Sequence, residues 1–116
     1  MEAGWSLKSN EEMFGVRKEA EKQFPMMLNN DELEGSAAFF KGLADETRLK
    51  IISLLWLEDL CMCGIVAALE GASSTISHHL KIMEKGGVIE SRREGKFTIY
   101  RVNKLKLTPV FPLPNK

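Results

Sequence analysis

In 116 residues the chain has only two cysteines, two histidines and one tyrosine, no net charge, and no apolar run near the roughly 20 residues that span a bilayer. Each shortage excludes something. Two cysteines do not make the disulfide framework of a small secreted fold, and in the cytoplasm such a pair reads as reactive or metal-binding. The opening stretch MEAGWSLKSNEEMF has no basic start followed by an apolar core, so no secretory signal is expected and the expected compartment is the cytoplasm. There is no glycine-rich phosphate loop, no nucleophile with a base at a workable spacing, and no βαβ setting around the cysteines; an enzyme is not expected. There are four prolines, and three of them, Pro109, Pro112 and Pro114, crowd the tail KLKLTPVFPLPNK, which is not expected to form a helix.

What is present is an ordinary globular composition, 44% hydrophobic and 28% charged, sufficient for one domain with a modest core. The zero net charge conceals a division. Residues 1–73 carry seven Lys/Arg against thirteen Asp/Glu, and residues 74–116 carry nine against three. The first part is thus −6 and the second +6, a polarity suited to a C-terminal half that faces a polyanion.

Ser9-Asn10-Glu11-Glu12 has the spacing of a capping box, opening a helix with Met13, Val16, Ala20 and Phe24 on one face and a stop near Pro25. A second helix is expected through Leu33, Ala37, Phe40 and Leu43. Asp45 is placed to cap a third, ETRLKIISLLW, with Leu49, Ile52 and Leu55 as its buried stripe and Ile51 and Leu54 widening it. After a break at Glu58–Leu60 comes a short helix holding Ile65, Val66 and Leu69. Glu70-Gly71-Ala72 reads as a tight turn, with Ser73 or Ser74 capping the next helix. In that helix Ile76, Leu80 and Met83 point inward, while Thr75, Ser77, His78, Lys81 and Lys85 lie off the stripe, and Gly86-Gly87 ends it. VIESRREGKFTIYRV then changes to two strand-like runs around Glu94-Gly95, a β-hairpin.

Two short helices joined by a tight turn and followed by a basic hairpin make a mainly α fold with a β-hairpin wing, a winged helix-turn-helix. A helix fits the major groove of B-DNA, and hairpin cations grip the neighbouring backbone. Ser73, Ser74, Thr75, Ser77, His78 and Lys81 are the candidate DNA-binding residues of the helix, and Arg92, Arg93 and Lys96, with Arg101, those of the wing. The division is 1–30 as a dimerisation helix, 31–103 as the DNA-binding domain and 104–116 as a proline-rich tail. A winged helix used for protein or RNA contacts is the reading from another class; the hydroxyl-rich helix and basic wing argue against it.

Three segments, FFKGLADETRLKIISLL, LCMCGIVAAL and STISHHLKIMEKGGVIESRREGKFTIYRV, resemble the ArsR/SmtB family of metal- and stress-sensing repressors over about Ala38 to Val102. The resemblance implies a homodimer on double-stranded operator DNA that leaves when an effector binds. It makes His78 DNA-facing, His79 structural, and Asp45 and Arg48 a helix cap and its support. It makes Asp59-Leu60-Cys61-Met62-Cys63-Gly64-Ile65 the metal box. Here the pattern departs from its relatives. Arsenite-responsive members have a further cysteine where this chain has Val66, and cadmium- and lead-responsive members add cysteines from an N-terminal arm that here has none. The C-terminal Asp and His ligands of zinc sensors are also absent, Gly64 replaces an acidic residue, and Glu70-Gly71 shifts the turn glycine by one place.

Residues i and i+2 of a helix face apart, so Cys61 and Cys63 act together only with Cys61 extended and Cys63 in or beside the first turn. Thiols near a helix N-terminus ionise more readily and favour soft ions. The pair is therefore the candidate sensing site. It would take a soft metal(loid) such as arsenic, antimony or cadmium with a third ligand from elsewhere, or form a reversible disulfide. No obligatory cofactor is expected.

Overall fold

A computed structural model describes residues 4–111. The chain divides into two compact units, Met1–Glu34 and Gly35–Lys116.

In the first unit, α1 (Asn10–Gln23) begins at the expected capping box: Glu12 N–H donates to Ser9 Oγ at 3.1 Å, and Ser9 N–H donates to the Glu12 carboxylate at 2.9 Å. Those bonds hold the Glu12 carboxyl below its ordinary pKa. The helix stops before Pro25, which opens a 3-10 turn, Pro25–Leu28. Met13, Phe14, Val16 and Phe24 are all exposed, which leaves α1 with an uncovered apolar face. The next helix, α2 (Asn30–Lys41), runs through the division between the units.

The second unit is built on α3 (Glu46–Leu57). Asp45 caps it by accepting from the Thr47 and Arg48 N–H groups at 2.8 and 3.3 Å. Ile51, Ile52 and Leu55 are buried as expected, whereas Leu49 is 42% exposed and Arg48 takes the buried place at the start of the stripe. The reason is Arg48, whose partners lie on the core side. After α3 come β1 (Leu60–Cys61), α4 (Met62–Leu69), α5 (Ser73–Lys85) and the hairpin β2 (Ile89–Glu94) and β3 (Phe97–Val102). β3 is the central strand, with β1 and β2 antiparallel on its two edges. The hairpin turns at Gly95, whose φ of 63° is the left-handed conformation that glycine adopts without cost.

Ile51, Ile52, Leu55, Ile65, Ile76, Leu80, Met83, Val88, Ile89 and Val102 form the core, and each such burial contributes about 1.5–3 kcal/mol. Two further expectations are corrected. Neither Ser73 nor Ser74 is the cap of α5: Ala72 holds that position without a side-chain bond, and both serines fall in the first turn. The tail does contain a helix, α6 (Lys104–Leu107), which lies ahead of its prolines. Asn103 caps it by accepting from Lys106 N–H at 3.3 Å, and Leu107 is drawn into the core. Pro112 and Pro114 lie outside the described residues.

Candidate nucleic-acid interface and thiol pair

α5 is anchored by Ile76, Leu80 and Met83, spaced four and three, which fixes what its other side presents. Ser73, Ser74, Thr75, His78 and Lys81 are exposed and Ser77 is half-buried. The turn into α5 passes through Glu70, whose φ of 53° is a left-handed conformation seldom taken by a residue with a Cβ. Glycine follows one residue late, at Gly71.

The two histidines separate by burial. His78 is exposed. His79 is 12% exposed, and its Nδ1 accepts from Arg48 Nε at 3.1 Å. Arg48 Nη1 also donates to the Lys41 carbonyl, so one guanidinium joins the end of α2, the start of α3 and the middle of α5. Asp45 Oδ2 lies 3.8 Å from His79 Nδ1, beyond hydrogen-bond reach, and the Arg48 bond is the one that sets the ring. Desolvation pushes the Asp45 carboxyl up. The Arg48 and Thr47 N–H donors, with the Arg48 charge, outweigh it, and its pKa falls below the ordinary value.

On the wing, Arg93 and Lys96 are exposed and make no ion pair among the described residues; Lys96 lies over the Phe97 ring at 5.9 Å. Arg92 and Arg101 are engaged. Arg92 donates from Nη1 to Asp59 at 2.8 Å and from Nε to Glu94 at 2.6 Å, and Arg101 pairs with Glu90 at 2.9 Å. The bonds to Asp59 and then Glu94 raise the Arg92 pKa above its ordinary value. Ser91 Oγ donates to Glu84 at 2.6 Å, tying the wing to the end of α5. Burial first, and the Glu84 charge second, raise the pKa of Tyr100 beside this contact.

The sequence reading did not foresee Asp59, Glu84, Glu90 and Glu94 as partners of the wing side chains. The alternation Glu90-Ser91-Arg92-Arg93-Glu94 contained the signal for part of this, because residues two apart on a strand share a face.

Cys61 ends β1 and is the N-cap of α4; Cys63, exposed, lies in the first turn. Cys61 Sγ accepts from Gly64 N–H at 3.3 Å. The two sulfurs are bonded, with their Cα atoms 5.3 Å apart. Opened, they offer two thiolates at a helix N-terminus. Among the described residues no three His, Cys, Asp or Glu side chains converge, so a trigonal or tetrahedral site needs a ligand from outside this set.

Comparison with known proteins adds an independent line. The family described as bacterial regulatory proteins of the arsR type matches residues 45–91, which run from the α3 cap to the start of β2. The chain is 38% identical over 87 residues to the cadmium resistance transcriptional regulatory protein of Listeria innocua, covering 74% of this chain and 73% of that one. It is 43% identical over 65 residues to the arsenical resistance operon repressor of Escherichia coli, covering 55% and 56%. A homodimeric winged helix-turn-helix DNA-binding domain from Mycobacterium bovis superposes with a TM-score of 0.63 at 32% identity, covering 68% of this chain and 73% of that one.

Proposed function

The chain belongs to the arsR family of bacterial regulatory proteins, and from that premise we propose that it is a homodimeric repressor released from operator DNA through Cys61 and Cys63. It is a transcriptional regulator and not an enzyme. The observation that carries the proposal is one of placement. A polar α5 face and a wing with uncompensated Arg93 and Lys96 share a unit whose two cysteines sit where β1 becomes α4, the helix that packs on α5.

In this reading Ser73, Ser74, Thr75, Ser77, His78 and Lys81 meet base edges and nearby phosphates, and Arg93 and Lys96 hold the flanking backbone. Arg92, already paired, enters that set only when its carboxylates let go. The exposed apolar face of α1, and the homodimeric M. bovis domain, support residues 1–30 as the dimer element, with residues 31–103 reading the DNA in this proposal. Two recognition helices would then lie roughly 34–36 Å apart, one turn of duplex. No helix among the described residues is long and apolar enough to cross a membrane.

The effector is a soft metal(loid), the class for which the Listeria and E. coli relatives are named. Cys61 and Cys63 supply two thiolates, and a small ligand or the second chain supplies the third. The bonded state of the pair favours a second reading, a reversible disulfide switch.

The test of the DNA-binding assignment compares operator with random duplex across salt concentrations. Ser77→Ala and His78→Ala should lower discrimination, since each base-edge contact is worth about 1–3 kcal/mol. Arg93→Ala and Lys96→Ala should weaken binding to both duplexes alike and flatten the salt dependence. Wing substitutions that changed sequence preference with the salt slope intact would refute this division.

A further inference from the structure

The thiol pair and the wing share one sheet. β3 pairs its Ile99 with Cys61 on one edge and with Arg92 on the other. Cys61, Ile99 and Arg92 therefore form a single cross-strand row, and directly opposed residues share a face. Two residues before Cys61, Asp59 receives the Arg92 guanidinium across β3 at 2.8 Å, while Glu94 accepts from the same group at 2.6 Å. Two carboxylates thus neutralise a wing arginine whose side chain is still 45% exposed.

We propose that Asp59 is the positioning residue through which the thiol pair controls the wing: with Cys61 and Cys63 joined, Asp59 holds Arg92 away from a DNA phosphate, and with the pair open, Arg92 is released to the duplex. This rests on Cys61 and Cys63 being the effector site. A carboxylate and a phosphate compete for the same planar fork of N–H donors, so the position of Asp59 decides which is bound. That position depends on Cys61, which at once pairs with β3, caps α4 through Gly64 N–H and is bonded to Cys63. Asp59 leads into a strand of two residues, and opening the disulfide removes the covalent cross-link at the far end of that strand.

The chemistry of the switch balances by thiol–disulfide exchange. Closing the pair passes two electrons and two protons from the thiols to a low-molecular-weight disulfide, which leaves as two thiols; a dithiol reductant reverses the step.

The experiment measures duplex binding by fluorescence anisotropy over a salt series for wild type, Asp59→Asn and Arg92→Ala. Each protein is measured closed with a low-molecular-weight disulfide and opened with a dithiol. Opening the wild type should steepen the slope of log affinity against log salt by about 0.9, one more phosphate contact. Between about 50 and 200 mM salt that is an additional loss of roughly 3- to 4-fold. Asp59→Asn should show the steep slope in both states and Arg92→Ala the shallow slope in both. Equal slopes for open and closed wild type, or an Asp59→Asn protein that tracks wild type, would overturn the proposal. A wild type that binds no duplex in either state would count against the DNA-binding reading instead.

Discussion

Replacing Arg48 with alanine should cost this protein a large part of its stability, because three elements lose their common partner at once. Arg48 is 8% exposed and bonds His79 Nδ1 on α5 and the Lys41 carbonyl at the end of α2. A hydrogen bond to a charged group is worth about 1.5–3 kcal/mol, and removing the donor leaves a half-buried ring nitrogen unpaired. Two such bonds place the loss near 3 kcal/mol or above, a substantial share of the 5–15 kcal/mol typical of a domain, about. In urea, with an m-value of about 1.5–2 kcal/mol/M, the midpoint should fall by about 1.5–2 M. The m-value itself should not change, since the surface exposed on unfolding is the same. Arg48→Lys should fall between the two, because one ammonium cannot reach both acceptors in the arginine's geometry. A loss under about 1 kcal/mol for Arg48→Ala would refute the view that this guanidinium anchors α5.

Gly86→Ala should be far more damaging than Gly42→Ala in thermal melts. A Cβ at Gly86 would run into the Ala38 carbonyl oxygen, which is backbone, whereas one at Gly42 would lie 2.7 Å from a Val88 side-chain methyl. Equal losses would mean that the approach of α2 to α5 is not fixed. Glu70→Gly should raise stability by several tenths of a kcal/mol to about 1, since relief of a left-handed residue outweighs the entropy glycine costs. A lower melting temperature would show that Glu70 holds the turn by another contact. Asp45→Ala should lower the urea midpoint at neutral pH, with the difference from wild type shrinking under acid. A carboxyl depressed below its ordinary value of 3.8 contributes stability above that pH and loses it as pH falls through the folded value. A midpoint difference that persists unchanged to pH of about 2 would assign the effect to packing rather than charge.

Periodicity was a good guide where burial has one cause. Ile76, Leu80 and Met83 on α5, and the alternating strands around Gly95, are sets whose spacing alone determines which face turns inward. It was a poor guide where a polar group competes for the interior. Leu49 belongs to an apolar stripe by spacing and is exposed because Arg48 takes the core-facing place. β1 is two residues long, too short for an alternation to register, and exists because β3 offers an unpaired edge. α6 was hidden by its prolines, although Lys104–Leu107 precedes all three and Leu107 has a core site to fill. In the site, the extended Cys61 and first-turn Cys63 followed from the impossibility of joint action on one helix. The carboxylates around Arg92 did not, because Asp59 and Arg92 are 33 residues apart and meet only across the folded sheet.

The central claim is that Cys61 and Cys63 govern release from DNA, and one comparison tests it. Wild type and a Cys61→Ser/Cys63→Ser protein are bound to operator duplex and challenged with arsenite, cadmium or a mild oxidant in a gel shift. Reduced wild type and the double variant should bind alike, and only wild type should be released. A coupling of about 1–3 kcal/mol would lower its affinity roughly 5- to 150-fold. Release of the double variant by the same reagent would place the sensor elsewhere, and release of neither would leave the two cysteines a part of the packing only.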